Sequence, residues 1–132
     1  MKKIDKVALI YVKAGKVLTT LSKGKDIYYM PGGKREPGES DNETLIREIK
    51  EELSVDIIED TIKFYGTFEA QAAGKAEGIL VTMTCYMAEF IGKLCPAAEI
   101  DKFDWFNCKD IDRVSIVDKL IFKDLHDKGY IN

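Results

Sequence analysis

Glu39, Arg47, Glu48, Glu51 and Glu52 are the residues of this 132-residue chain best suited to do chemistry. They follow the turn Met30-Pro31-Gly32-Gly33. Glu48, Glu51 and Glu52 stand at i, i+3 and i+4, so a helix brings them to one face. Carboxylates placed this way repel, and a sequence shaped by stability alone would not favour them. A divalent cation removes the difficulty, because Mg²⁺ prefers carboxylate oxygens and keeps several waters for substrate phosphates. The acids therefore read as a metal-phosphate site. The plainer alternative is the solvated face of an amphipathic helix.

The element that must hold them can be tested by projection. At about 100° per residue, Leu45, Ile46, Ile49 and Leu53 fall within one arc of roughly 100°, a core-facing stripe. The three acids occupy a separate arc, so the helix is anchored on one side while it presents ligands on the other. Ser40-x-x-Glu43 fits a capping box, and Asp41 adds charge near the positive helix end. The helix is expected over Asn42 to Leu53. Arg47 has i,i+4 partners in Glu43 and Glu51, which steer it among the acids. Glycines ahead of the acids let backbone approach metal and phosphate closely.

Around this helix the sequence predicts strands at Lys6–Lys13, Lys16–Leu21, Ile27–Met30, Ile62–Glu69, Ile79–Phe90 and Phe103–Phe106. A small-residue loop from Ala70 to Gly78 is placed to close over substrate. Ser115-x-x-Asp118 caps a last helix ending near Gly129, with Ile116, Leu120, Ile121 and Leu125 on its apolar side. Strands on both sides of one helix, and a second helix at the end, imply an α/β fold: a mixed sheet covered by helices.

Composition limits the partners. With 45% hydrophobic residues, the chain is expected to bury one core as a single domain over residues 1–132. A net charge of −3 argues against a nucleic-acid polymer as partner. Cys85, Cys95 and Cys108 form no CxxC pair, which points to idle thiols in a reducing compartment. The basic start Met1-Lys2-Lys3 and the apolar run Val7–Val12 make too short a leader for secretion, and no stretch is long enough to span a membrane. A soluble, cytoplasmic protein is expected.

The stretch Gly33-x5-Glu39-x7-Arg47-Glu48-Ile49-x-Glu51-Glu52-x-Ser54-Val55 resembles the signature of the Nudix hydrolases, specifically MutT-like ones. One position departs: Ser54 stands where the pattern has glycine, which changes turn geometry and removes no ligand. The resemblance implies an α/β/α sandwich and hydrolysis of a nucleoside diphosphate linked to another moiety. It also implies Mg²⁺ as cofactor, with Mn²⁺ able to substitute, and homodimers are common in the family. By resemblance, the Gly32 carbonyl, Glu48, Glu52 and Glu51 are the metal ligands. Glu99, in the turn before a strand carrying Trp105, is a further one. Glu48 is the favoured general base, Glu51 and Glu99 the next to test, and Arg47 orients Glu51 or Glu39. Gly33, Lys34, Tyr29 and Glu39 complete the set as substrate contacts.

Markers outside the signature narrow the substrate by absence. The proline of ADP-ribose enzymes is missing near Ala70, and the tyrosine of diadenosine-polyphosphate enzymes is missing at Ala72-Ala73-Gly74. What remains is a nucleoside triphosphate, ordinary, oxidised or non-standard, giving the monophosphate and pyrophosphate. ADP-ribose or a sugar nucleotide is the alternative, and a nucleotide-binding regulator without turnover is a third reading. Trp105 and Phe106 read as core before base-stacking, Asn107 as a turn former, and His126 as a helix-end cation without a catalytic role.

Overall fold

The computed structural model describes residues 3–72 and 74–132. The readings that rest on Met1, Lys2 and Ala73 lie outside these residues. In chain order the elements are β1 (Lys3–Ile10), β2 (Val12–Lys13), β3 (Lys16–Ser22), β4 (Gly32–Lys34), α1 (Asp41–Leu53), β5 (Asp56–Ile57) and β6 (Lys63–Gln71). They continue with β7 (Leu80–Met87), β8 (Phe90–Ile91), β9 (Ile100–Phe106) and α2 (Ile116–Asp127). Short 3₁₀ turns sit at Glu59–Thr61 and Cys108–Arg113.

The principal sheet has the order β4-β1-β7-β6 and is mixed: β1 runs parallel to β7 and antiparallel to β4. A second sheet, β2-β3-β9, and the small pair β5-β8 complete the strand structure. Alternation along β1 sends its side chains to two cores. Val7 and Leu9 pack with Leu45, Ile49 and Leu53 of α1, whereas Ala8 and Ile10 pack with Val117, Ile121, Phe122 and Leu125 of α2. Helix, sheet and helix thus form the expected α/β/α sandwich, because a strand apolar on both faces needs a cover on each.

Several boundaries differ from those read in the sequence. Ile27–Met30 forms no strand; Tyr28 and Tyr29 make only isolated bridges, to Val114 and Thr20. Pairing resumes after Pro31, whose carbonyl accepts the Leu9 amide at 2.8 Å, and β4 begins at Gly32. The long run Ile79–Phe90 breaks after Met87, and Phe90–Ile91 pairs with β5 instead. The first strand starts at Lys3 and breaks at Tyr11, β6 runs on to Gln71, and β9 starts at Ile100. On α2 the apolar stripe is Val117, Ile121, Phe122 and Leu125, while Ile116 and Leu120 are exposed. Asp118, read as part of a cap, lies fully buried within that stripe.

Candidate active site

Helix α1 can present its acids because both ends are fixed. The Glu43 amide donates to the Ser40 hydroxyl at 3.2 Å and the Ser40 amide donates to Glu43 at 2.9 Å, closing the capping box. At the other end Ser54 adopts a left-handed φ of 64°, and its hydroxyl donates to the Cys95 carbonyl at 3.0 Å. The serine therefore works as a helix stop and touches none of the acids.

Arg47 organises one side of the acid face. Its Nε and Nη2 donate to the two oxygens of Glu39 at 2.6 and 2.9 Å, a forked pair. Nη2 also donates to the Lys34 carbonyl at 3.1 Å, and Nη1 to Glu48 at 2.9 Å and Glu51 at 3.4 Å. Glu39 accepts two further bonds, from the Glu36 amide and the Thr44 hydroxyl, both at 2.9 Å. These donors, Arg47 foremost, hold the Glu39 carboxyl down at about 2. Glu39 is thus committed to fixing Arg47, and Arg47 to aiming Glu48.

Glu48 and Glu52 are in the opposite electrostatic state. Burial raises the pKa of Glu48, and the charges of Glu51 and Glu99 add to that against the pull of Arg47. Glu52, 7% exposed, is pushed up to about 8, first by burial and then by Glu48 and Glu99. The Gly32 amide donates to Glu52 at 3.0 Å and offsets part of this. Gly32 has a φ of +148°, and a side chain there would strike the Val7 carbonyl. A Cβ on Gly33 would run into the Glu48 carboxylate. The two glycines are what allow the β4 backbone to lie directly against the acids.

Carboxylates whose pKa is raised by burial and by neighbouring acids fit a divalent cation, whose charge would relieve both burial and repulsion. Among the described residues no three His, Cys, Asp or Glu side chains already converge on one point. Glu48 is drawn to Arg47, Glu52 to Gly32, and Glu51 is 52% exposed. Glu48 and Glu52 would therefore exchange these partners for an ion. Glu99 is exposed in the turn before β9, close enough for its charge to act on both Glu48 and Glu52.

The acid wall borders a groove of about 330 Å³, lined among others by Gly32, Gly33, Glu52, Lys25, Lys6 and Tyr29. Lys6, Tyr29, Lys75 and Met83 also line a more apolar chamber that reaches Ile4, Val81, Ser115 and Val117. Groove and chamber are thus contiguous. Tyr29 faces them, while Tyr28 is buried and donates to Asp104 at 3.2 Å. Lys34 lies to the side, in a depression shared with Lys3 and Lys75. Phe106 is core, Trp105 packs on Tyr11, Asn107 caps a 3₁₀ turn, and His126 is exposed.

The NUDIX domain family model matches residues 2–125. The chain belongs to the Nudix hydrolase family. Among solved structures it is similar to the E. coli ORF135 protein, at 23% identity with a TM-score of 0.74, covering 100% of this chain and 96% of that one. It is also similar to a MutT protein from Bacillus halodurans, at 26% identity and a TM-score of 0.69, over 90% and 79% of the two chains. A NUDIX hydrolase from Nitrosomonas europaea follows at 20% identity and 0.73, over 98% and 93%. No curated protein matches the chain. As a Nudix pyrophosphohydrolase, the chain works on a phosphoric anhydride, and Nudix enzymes generally use divalent metal ions.

Two residues at this site escaped the sequence reading. Asp118 is fully buried; the Ser115 hydroxyl donates to its Oδ2 at 2.7 Å and the Met30 amide at 3.4 Å. Among the described residues its Oδ1 has no hydrogen-bond partner. Lys6 is half-buried on β1, on the same sheet face as Ala8 and Ile10. The signal for Asp118 was available: positions 118, 121, 122 and 125 follow the i, i+3, i+4, i+7 pattern of a buried stripe.

Proposed function

We propose that this Nudix hydrolase, folded as one domain over residues 1–132, cleaves nucleoside triphosphates to the monophosphate and pyrophosphate. Oxidised or otherwise non-standard triphosphates fall within the class, and Mg²⁺, with Mn²⁺ able to substitute, is the cofactor. The observation that carries this reading is that the acid-walled groove adjoins the apolar chamber, with Lys6, Tyr29, Lys75 and Met83 common to both walls. A phosphate chain on an ion belongs beside acids and glycine backbone, and a flat base belongs among Ile4, Val81, Met83 and Tyr29.

Glu48 and Glu52, with the Gly32 carbonyl, Glu51 and Glu99, are the groups that would hold the ion. When bound, it neutralises phosphate charge and acidifies a water. The remaining work falls to the protein. Glu48 has one oxygen engaged by Arg47 and, among the described residues, no hydrogen-bond partner for the other; it accepts the proton of the attacking water. The water oxygen bonds to phosphorus, the bond from phosphorus to the bridging oxygen breaks, and pyrophosphate leaves with that electron pair. Arg47 keeps Glu48 in place, and Lys25 and Lys75 on the groove wall meet the departing charge.

The free thiols Cys85, Cys95 and Cys108 support a reducing, cytoplasmic setting. No helix among the described residues is long and apolar enough to cross a membrane. Assembly as a homodimer belongs to the same reading and is measured by light scattering.

The test is a hydrolysis panel with identified products: nucleoside triphosphates, oxidised nucleotides, ADP-ribose, sugar nucleotides and dinucleotides, with and without chelator. Metal-dependent release of pyrophosphate from triphosphates is the expected result. Turnover confined to ADP-ribose or sugar nucleotides would replace this substrate class, and binding without turnover would favour a regulator.

A further inference from the structure

The segment that carries Glu39 has no apolar anchor. From Gly32 to Glu43 no residue is buried, so its position depends on polar ties. Within it, Glu36-Pro37-Gly38-Glu39 makes a tight turn: the Glu39 amide donates to the Glu36 carbonyl at 3.0 Å, and Gly38 takes a φ of +82°. Arg47 grips the segment from inside the acid wall, at the Lys34 carbonyl and at Glu39. A second brace closes it from outside. The Arg35 Nε donates to Asp41 Oδ1 at 2.5 Å, and its Nη1 pairs with Asp5 of β1 at 2.9 Å. The other oxygen of Asp41 accepts the Tyr86 hydroxyl of β7 at 2.6 Å. Asp5 is 60% exposed, whereas Tyr86 is half-buried against the core beneath α1. Tyr86 is therefore the firm end of this brace. Burial, and after it Asp41, pushes the Tyr86 pKa up to about 12, which keeps the hydroxyl a donor.

We propose that Tyr86 is a positioning residue for the hydrolysis: through Asp41 and Arg35 its hydroxyl sets the connection from β4 to α1, and with it the Glu39–Arg47 fork that aims Glu48. This rests on the reading of Glu48 as the base. The route is short. Asp41 opens α1 two places after Glu39, and Arg35 follows Lys34, whose carbonyl Arg47 holds. Both braces thus act on one segment, from Lys34 to Asp41. Both Glu39 oxygens are already committed, to Arg47, Thr44 and the Glu36 amide. A displaced turn is therefore passed on to Arg47, because Glu39 has no idle oxygen to absorb it. A shift of about 1 Å far from the reacting atoms can cost up to about a hundredfold in rate. The other face of the sheet supplies a matched control. There the Tyr65 hydroxyl donates to Asp124 of α2, also at 2.6 Å, with no bond to the acid wall.

Tyr86→Phe removes the hydroxyl alone. With GTP and Mg²⁺, kcat is expected to fall by about three- to tenfold with KM nearly unchanged, while Tyr65→Phe leaves both as in the wild type. In an Arg47→Lys background the same change at Tyr86 should cost less than about twofold, because the fork it acts through is already lost. NMR of the Arg47 Nε–H in the nucleotide-free protein reads the link without turnover. That proton, bonded to Glu39 at 2.6 Å, should move upfield in Tyr86→Phe and stay in place in Tyr65→Phe. Thermal unfolding establishes that each variant is folded; should Tyr86→Phe fail to fold, Asp41→Asn, which weakens the hold on Arg35, carries the comparison. An unchanged kcat, an unmoved Arg47 signal, or an equal loss in the wild-type and Arg47→Lys backgrounds would overturn the assignment. A moved Arg47 signal in a protein that hydrolyses no triphosphate would overturn the proposed reaction and leave the link from Tyr86 to Arg47 standing.

Discussion

The acid wall on α1 and the chamber beneath α2 solve the problem of polar groups inside a fold in opposite ways. On the acid wall, carboxylates outnumber cations, yet each is placed by a visible device: a cap, a fork from Arg47, or a glycine amide. The chamber has Lys6 and Lys75 on its wall and Asp118 fully buried nearby, and among the described residues Lys6 and Asp118 form no ion pair with each other. The first arrangement fits a cation, and the second leaves one buried acceptor, Asp118 Oδ1, without a partner among the described residues. The acid wall stores its unmet interaction where a ligand can use it, which is how a site differs from a core.

Breaking the acid wall should produce the largest effect. Glu48→Gln keeps shape and removes both the proton acceptor and a negative charge. Turnover should fall by about a thousandfold or more, while nucleotide binding persists and the metal-free protein becomes slightly more stable as repulsion with Glu51 and Glu99 is relieved. Steady-state kinetics with calorimetric binding on the same preparation read both halves. Activity that survives would move the base to Glu51 or Glu99.

Breaking the chamber should instead show in stability against pH. Burial pushes the Asp118 carboxyl up to about 7, against the smaller opposing influences of Ser115, the Met30 amide and Lys6. A folded-state pKa above the unfolded one, about 3.9, means that folding favours the protonated acid. Its stabilising share is complete below pH 4 and is lost as pH rises through about 7. The stability difference between wild type and Asp118→Asn should therefore decline across that window by an amount of the order of a few kcal/mol and level off above pH 8. Denaturant midpoints at half-unit pH steps supply the measurement. A flat difference would mean that Asp118 stays ionised, its charge answered by Lys6.

The two regions also differ in how far the sequence revealed them. Glu48, Glu51 and Glu52 share a helix face by spacing alone, and Ser40-x-x-Glu43 marks the start, so α1 was legible to within a residue. Strand β4 was not, because glycine has little strand preference. Gly32 and Gly33 are extended because β1 pairs with them and because nothing larger fits against Glu48 and the Val7 carbonyl. On α2 both sides carry apolar residues, so periodicity could not choose between Ile116 with Leu120 and Val117 with Phe122. Packing against Ala8, Met83 and Phe106 makes that choice and takes Asp118 inside with it. Glu99 reaches the acid wall through the path of the β8–β9 connection, which no local pattern encodes.

A subtler variant sharpens the account of the acid wall. Arg47→Lys keeps a charge but loses the fork that grips Glu39 and the separate arm to Glu48. As a positioning residue it should lower kcat by about 10- to 100-fold, with KM nearly unchanged. Because Glu39 is held down at about 2 chiefly by Arg47, the carboxyl should also titrate closer to its ordinary range in the variant, which NMR of the side-chain carboxyl reports. A pure KM effect would mean that Arg47 grips a phosphate directly.

The smallest effect concerns the one departure from the family signature. Ser54 holds a left-handed φ of 64° at the end of α1, a conformation that costs a side chain about 1 kcal/mol relative to glycine. Ser54→Gly relieves this strain but gives up the hydroxyl bond to the Cys95 carbonyl, an exposed bond at 3.0 Å. It also frees the unfolded chain, which offsets part of the gain. The net change in stability should be within about 0.5 kcal/mol of zero, with kcat/KM unaltered, since neither partner touches an acid. A measurable loss of activity would show that the segment from Ser54 to Cys95 helps to place Glu52, whose carbonyl accepts the Ala97 amide at 3.0 Å in that same connection. The helix stop would then belong to the acid wall and not merely to the scaffold beneath it.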